Sequence, residues 1–452
     1  MNIVCVIVDG LQAAYLGAYG NGWVGTPHLN AVAAQGVVFD RAYAACPTLA
    51  GFYRGAWWGR PAATLALEAA SADQDPSLPA MLGKAGFHTL LVTDEPQLLS
   101  LPGAGDFAEQ MAVGHDDSSA DEPADEAAEN DEATAMAATI AAAVDAWQHA
   151  PADQATGNTP PGKLLWIHLR GLFGPWDAPY ARREQYAAED DPDPPQFVTP
   201  PHRLLAADAD PDEILGIRQA YAAQVATLDA LLGSLVGLID ADEQPALLCL
   251  IGCRGYPLGI HRRLGHPSGL SPQLYGETVH VPWLMRFPEA NHAAGRTPAL
   301  VEPGDLPATL LDACSQSLGA EARNARPEAW LPSLMPIVVD QGQETRDRLL
   351  LVSPGEHAPA QQGLKTPAWY LLERLPAEDA AQAAGDLPEA ALTEPWELYA
   401  KPDDRWEIND VSTRMPDVAE RLAALLQEQR RVLNGEAAPV TPLDHDLRDT
   451  YR

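Results

Sequence analysis

The side chains that could carry chemistry stand at the ends of predicted strands or just before a helix. Asp9 follows the apolar run of residues 3–8, and its carboxylate could bind a metal ion or pair with a neighbouring base. We favour an ion pair because a lone buried carboxylate needs a counter-charge. His168 ends another apolar run, where the simpler interpretation is a core histidine with satisfied hydrogen bonds. Thr48 offers a hydroxyl that becomes a nucleophile only if a base or a metal activates it.

A basic segment near the middle of the chain is a second candidate. Its members are His261, Arg262, Arg263 and His266. Such residues could bind an anion together, and the simpler interpretation is that they are separate surface residues.

Net charge limits the partners. The 452 residues include 29 Lys and Arg against 63 Asp and Glu, which gives a formal charge of −34. This charge repels nucleic-acid phosphates and anionic membrane surfaces, so we expect neither partner. An anionic substrate would need a local cluster of cations.

Cysteine usage and the N-terminal sequence indicate a cytoplasmic protein. The 5 cysteines are widely spaced, with no CxxC pair, and predict buried thiols in place of disulfides or a zinc site. The N-terminal apolar run is short and ends at Asp9, unlike a secretory leader, and no run approaches the roughly 20 apolar residues of a membrane span.

Helices and buried strands alternate along the first three quarters of the chain. This order predicts an α/β fold in which a mostly parallel sheet is flanked by helices. Ligands bind such sheets at the carboxyl ends of the strands, the edge at which Asp9 is expected. The predicted strands cover residues 3–8, 89–93, 164–168 and 246–251, and the predicted helices cover residues 27–35, 78–85 and 212–239.

The pattern changes after about residue 340, so we predict an α/β domain over 1–340 and a small α+β subdomain over 341–452. The subdomain is expected to hold a small antiparallel sheet and a terminal helix, with strands at 348–352, 368–375 and 396–399 and the helix at 416–430. Residues 116–132, acidic and without a base, predict a solvated or disordered loop, and residues 177–211, rich in Pro and Asp, predict a long surface insertion. The glycine and spacing of a calcium-binding loop are absent from the acidic segment.

An ordered series of short motifs resembles the sulfatase family of the alkaline phosphatase superfamily over nearly the whole chain. Each motif is weak alone, and their order makes the resemblance specific. The family's large α/β domain and smaller C-terminal domain agree with the organisation above. The matching segments are 8–11, 16–20, 26–30, 36–43, 221–233, 275–277 with 281–282, 306–311, 397–399 and 409–410.

The resemblance implies a site for sulfate ester hydrolysis whose chemical groups are missing. The family uses a formylglycine made from a Cys or Ser in a C-x-P-S-R motif, and an ungapped match between Tyr43 and Gly59 places Leu49 at that position. Gly51 then stands at the Pro position and Tyr53 at the Arg position, so a cation is lost with the nucleophile.

The family's calcium ligands and sulfate-binding cations are also replaced. Its paired aspartates match Asp9 and Gly10, and its later D-H-G-E motif matches the segment that begins with Cys253 and Arg254. Calcium requires six to eight oxygen ligands, which these side chains cannot supply. Phe173 stands where the family has a pocket histidine. One family lysine falls near Ser271 or Pro272, and the family's lysine and histidine after the third strand fall near Asp94 and Pro96.

The resemblance therefore implies a degenerate pocket. Asp9 and Arg254 end strands that are adjacent in this fold, so the guanidinium is expected to replace the metal's charge, with no metal or cofactor bound. We expect a protein that has lost sulfatase chemistry and binds a ligand or partner that the sequence does not identify. The alternative is a metal-independent hydrolase or transferase that uses Thr48. The pocket residues are Asp9, Gly10, Leu49, Tyr53, Phe173, Cys253 and Arg254.

Overall fold

A computed structural model gives the fold for most of the chain. It describes residues 1–64, 75–114, 127–150, 162–315, 326–341, 346–355, 360–373, 395–433, 436 and 441–448. The described strands are β1 (Asn2–Gly10), β2 (Val37–Ala42), β3 (His88–Thr93), β4 (Glu109–Ala112), β5 (Lys163–Leu169), β6 (Arg203–Leu204), β7 (Ala246–Gly255), β8 (Arg263–Leu264), β9 (Trp283–Arg286), β10 (Gly295–Val301), β11 (Leu349–Ser353), β12 (Gln361–Lys365), β13 (Trp369–Glu373) and β14 (Trp396–Ala400).

The main sheet has eight strands in the order β10-β2-β9-β7-β1-β5-β3-β4. Neighbouring strands are parallel except at β9, which runs antiparallel to both β2 and β7. β1 lies in the middle and is buried along its whole length, as its continuous apolar sequence predicts for a strand covered on both faces. The predicted α/β fold with a mostly parallel sheet is confirmed.

Helices cover both faces of this sheet, and the sequence marks the ends of the first two. Pro27 starts α1, and the Thr48 hydroxyl accepts the Gly51 N–H at the start of α2, which ends at Gly59 in the left-handed conformation (φ +62°). The described α-helices are α1 (Pro27–Ala34), α2 (Leu49–Trp58), α3 (Leu78–Lys84), α4 (Ala135–His149), α5 (Tyr180–Glu184), α6 (Pro211–Asp240), α7 (Gly276–Val279), α8 (Leu306–Ala313), α9 (Met335–Val339), α10 (Pro416–Leu433) and α11 (His445–Arg448).

Helix α6 is long and apolar enough to cross a membrane by length and composition. In the folded chain, 67% of its most apolar stretch is buried inside the protein, against the face of the sheet that carries Val4, Val6 and Val8. Its apolarity is therefore accounted for by core packing, as in the central helix of many α/β domains.

The C-terminal part holds a separate antiparallel sheet in the order β11-β12-β13-β14, with α10 packed on one face through Leu422 and Leu426. The predicted antiparallel sheet and terminal helix are confirmed. One strand, β12, is missed by the sequence pattern because Gln361, Gln362 and Lys365 are polar, yet all three are buried.

The two surface segments predicted from composition differ from expectation where the structure describes them. The greater part of the acidic segment lies outside the described residues. Its end, however, is ordered, because the Asp131 carboxylate pairs with the Arg182 guanidinium and accepts the Thr227 hydroxyl at 3.0 Å. Residues 177–211 are more than a surface insertion, since Arg183 is fully buried and donates to three backbone carbonyls, those of Trp176, Pro195 and Phe197.

Candidate functional site

The candidate site lies at the carboxyl ends of three adjacent strands. β1 pairs in parallel with β5 on one side and β7 on the other, so Asp9 lies between His168 and Arg254. The register between β1 and β7 shifts between Val8 and Gly10. This irregularity of the backbone lies at the position from which the Asp9 side chain reaches across to β7.

Asp9 and Arg254 form the ion pair that the sequence predicts. Arg254 Nε lies 3.0 Å from Asp9 Oδ1 and Arg254 Nη2 lies 3.0 Å from Oδ2, which is the bidentate geometry of a strong guanidinium–carboxylate pair. The Gly10 N–H also donates to Oδ1 at 3.0 Å. Burial is the largest single influence on the pKa of the Arg254 guanidinium and lowers it. The charge of Asp9 and its hydrogen bonds together outweigh this effect, so the pKa is raised above its ordinary value. Both oxygens of Asp9 are therefore engaged by groups of this chain.

The segment after β5 packs against the Asp9–Arg254 pair and against Gly10. The Arg254 guanidinium carbon lies 4.5 Å from the centre of the Phe173 ring, which is a cation–π contact. Gly10 has a φ of +80°, and a Cβ at this position would lie 2.7 Å from the Leu172 Cβ. The position of the second family aspartate can therefore hold only a glycine in this backbone.

Leu49 is the first residue of α2 and is half-buried, with no polar atom on its side chain. Thr48 precedes it as the helix N-cap, and its hydroxyl accepts from the Gly51 N–H at 3.0 Å and lies 3.7 Å from Cys46 Sγ. Among the described residues, these are the partners of the Thr48 hydroxyl, and neither is a base that could activate it.

Tyr53 lies one turn further along α2 and points into the core below the pocket. Its hydroxyl is 2.8 Å from His168 Nδ1 and accepts from Trp166 Nε1 at 3.3 Å. Burial lowers the pKa of His168 to about 4, so the imidazole is neutral near pH 7. The expectation that His168 is satisfied is only half correct, because its Nε2 has no hydrogen-bond partner among the described residues.

The donors at this site do not fit a calcium ion. Cys253 is fully buried, and burial raises the pKa of its thiol well above the ordinary value, so it is a neutral thiol and not an oxygen ligand. The described residues contain no group of three His, Cys, Asp or Glu side chains placed to hold a metal. With one carboxylate, already bidentate to a guanidinium, the site lacks the ligand number that calcium requires.

The structure does not bring the side chains of the basic segment together at one point. His261 stacks on the Tyr275 ring at 3.5 Å, and its Nε2 lies 2.8 Å from the Trp406 carbonyl oxygen, towards the C-terminal sheet. Arg262 donates to the Leu205 carbonyl at 3.3 Å, whereas His266 packs edge-on against Phe173 at 5.0 Å. The three half-buried side chains point to three different places.

One residue that the sequence analysis missed reaches this site. His202 stacks parallel to the Phe173 ring with centroids 5.9 Å apart, and its Nδ1 accepts from the His266 N–H at 3.0 Å. Its flanking segment is rich in Pro and Asp, so no periodic pattern marks it. Only the pairing of β6 with β8 brings it to the pocket.

Comparisons with known proteins give information on the fold and the family of the chain. A family model described as Sulfatase matches residues 1–316. No curated protein matches the chain significantly.

Solved structures of the same fold cover nearly all of the chain. A phosphonate monoester hydrolase from Silicibacter pomeroyi is 18% identical with a TM-score of 0.66, and the match covers 96% of each chain. A putative sulfatase from Bacteroides thetaiotaomicron is 15% identical with a TM-score of 0.65, covering 99% of this chain and 96% of that one. A phosphonate monoester hydrolase of Agrobacterium radiobacter is 15% identical with a TM-score of 0.63, covering 96% and 95%. Since these identities are low, the structures establish the fold, and it is the family model, matching well over half of the chain, which shows that this protein belongs to the sulfatase family.

Proposed function

We propose that this chain no longer hydrolyses sulfate esters and that it is a binding or regulatory protein built on the sulfatase fold. The observation that carries the proposal is the Asp9–Arg254 pair, in which a guanidinium engages both oxygens of the carboxylate. A guanidinium has no vacant coordination position and does not give up its proton, so Arg254 cannot coordinate a sulfate ester as a Lewis acid or convert water into a nucleophile, as a metal ion does.

Two further features support the loss of the reaction. Leu49 stands at the start of α2 without a group that could attack sulfur, and Gly10 has no room for a second carboxylate. Since Leu172 would clash with a Cβ at Gly10, a single Gly10→Asp substitution would not rebuild a metal site. In this chain the packing of Leu172 against Gly10, as well as the side chains present, therefore disfavours a metal site.

An activity screen on the full chain tests the proposal. We expect 4-nitrophenyl sulfate, 4-nitrophenyl phosphate and a phosphonate monoester to be hydrolysed no faster than in buffer, with or without added calcium. Elemental analysis of the same sample should give far less than one calcium per chain. Turnover that follows the protein through purification and is abolished by Asp9→Asn would contradict the proposal.

Calcium and chelators should leave thermal stability unchanged. A metal that binds only the folded chain would raise the melting temperature as the metal concentration increases. We expect no such rise because the one carboxylate on β1, β5 and β7, that of Asp9, is already paired with Arg254. The measurement is thermal unfolding in EDTA and in a series of calcium concentrations, with magnesium at the same ionic strength as the control. A calcium-specific rise that Asp9→Asn removes would show that the ion displaces Arg254.

Thr48 gives a separate test of the alternative hydrolase. As an N-cap, Thr48→Ala should lower the free energy of unfolding by about 1 kcal/mol, and Thr48→Ser should have little effect because serine caps equally well. Urea unfolding measures both. If the screen reveals an esterase that Thr48→Ala abolishes and Thr48→Ser retains, the hydroxyl acts as a nucleophile and the binding proposal is wrong.

A further inference from the structure

A cavity of about 340 Å³ lies between the main sheet and the C-terminal sheet, and neither Asp9 nor Leu49 lines it. On one side it is lined by β2 and β10, and on the other by the end of β12 and the segment after β14. Its charged lining consists of the bases Arg41, Arg296, Lys365, Lys401 and Arg405 and the acids Asp40 and Glu407. We call these seven residues the cationic cleft, since five bases face two acids in a chain whose net charge is −34.

The two acids of the cationic cleft are already committed. Asp40 Oδ1 lies 2.8 Å from Arg296 Nη2 at the cleft mouth. Glu407 pairs with Lys401, lies 3.5 Å from Lys365 Nζ, and accepts the Gly276 N–H at 2.9 Å. No carboxylate of the cleft is therefore left for the remaining two bases.

Those two bases, Arg41 and Arg405, have no carboxylate partner among the described residues. Arg41 is half-buried within β2, and its side chain has no hydrogen-bond or ion-pair partner among the described residues. Arg405 donates to the Tyr19 carbonyl at 3.3 Å and otherwise stacks on Trp406. A guanidinium presents several donors in a fixed plane suited to oxyanions, so these two groups offer unused binding capacity.

The floor of the cleft holds an unusual lysine. Lys365 is only 2% exposed, and its Nζ lies 3.5 Å from the Tyr370 ring centre and 4.6 Å from that of Tyr43. Burial, aided by the nearby Lys401, lowers the pKa of Lys365 to about 7. Glu407 beside it is held with a φ of +54°, a conformation that costs energy for a residue with a side chain. An anion in the cleft would relieve the excess positive charge that these groups share.

We propose that the cationic cleft binds a small organic molecule that carries a phosphate or sulfate group. Arg41 and Arg405 bind the oxyanion, while the half-polar walls of Tyr19, Tyr43 and Pro298 contact the organic part. The volume admits a molecule of about the size of a monosaccharide ester. The local cations overcome the repulsion that the acidic chain as a whole exerts on anions.

Titration calorimetry on the full chain with inorganic phosphate, inorganic sulfate and glucose 6-phosphate tests this site, with sodium chloride at matched ionic strength as the blank. We expect saturable binding of at least one tetrahedral anion. Arg41→Gln and Arg405→Gln should each weaken it about 10-fold or more, the effect of losing a charged hydrogen bond. Arg41→Gln is suited to this test because the Arg41 side chain makes no hydrogen bond or ion pair that stabilises the described fold.

One control variant separates the cationic cleft from the rest of the protein surface. Arg203→Gln alters an exposed arginine paired with Glu213 elsewhere and should leave the affinity unchanged. Absence of saturable binding by all three anions, or binding insensitive to both cleft variants, would overturn the assignment. The proposed loss of sulfatase activity is tested by the enzyme screen, so either proposal can fail without the other.

Discussion

Arg254→Ala should lower the free energy of unfolding by about 3 to 5 kcal/mol, the usual cost of leaving a buried charge without its partner. Asp9 lies in the central strand and its side chain is 4% exposed, so little water is available to solvate the carboxylate once the guanidinium is gone. The Gly10 N–H would remain as a donor to Oδ1. Urea or guanidinium unfolding followed by fluorescence measures the difference.

The double variant distinguishes a stranded charge from lost packing. Asp9→Asn removes the charge that Arg254→Ala leaves behind, so the double variant should be more stable than Arg254→Ala alone. The cation–π contact of Arg254 with Phe173 is lost in both variants and cannot give this recovery. Arg203→Ala is the matched control, because its pair with Glu213 is exposed and should contribute less than about 1 kcal/mol. A double variant no more stable than Arg254→Ala would mean that packing, not charge, explains the loss.

Arg346→Ala should be comparably destabilising, because Arg346 is the counter-charge for two buried acids. It pairs with Asp305, and its Nη1 lies 3.2 Å from Glu302 Oε1. Glu302 also joins the turn before α8 to the segment after α2, because its carboxylate accepts the Ala62 N–H at 2.8 Å. Removing the guanidinium leaves two neighbouring carboxylates in the core, and we expect a loss of about 3 to 5 kcal/mol near pH 7.

The loss of stability in Arg346→Ala is expected to depend on pH. Burial raises the pKa of Glu302 to about 7, so the folded chain binds a proton that the unfolded chain releases near pH 4.5, and stability falls as pH rises between these values. Without Arg346, which lowers the pKa of both acids, that window extends above pH 7. The deficit of Arg346→Ala should therefore be smaller at pH 5 than at pH 8. Arg421→Ala, which removes an exposed pair with Asp444, should show little change. An equal deficit at both pH values would mean that Arg346 does not control the protonation of these two acids between pH 5 and pH 8.

The sequence predicts the architecture well because burial leaves a strong periodic signal. β1 and β7 are continuous apolar runs, and α6 repeats apolar residues at helical spacing, so their type and position follow from local pattern. β12 lacks this signal. Its glutamines and lysine are buried because other groups provide their partners. Some of these groups, such as Glu373 and Tyr370 on β13, are close in sequence, whereas Leu274, Tyr43 and Glu407 come from distant parts of the chain.

The same division applies to the sites. By itself the sequence determined that Leu49 brings no nucleophile and that Asp9 and Arg254 end strands, because residue identity and strand ends are local properties. Only the tertiary structure decided that the His261–His266 segment is divided among three surroundings and that Leu172 excludes a side chain at Gly10. It also decided that Arg41 and Arg405, more than 350 positions apart, line one cavity. Such contacts depend on the packing of two sheets against each other, which no short-range pattern in the chain encodes.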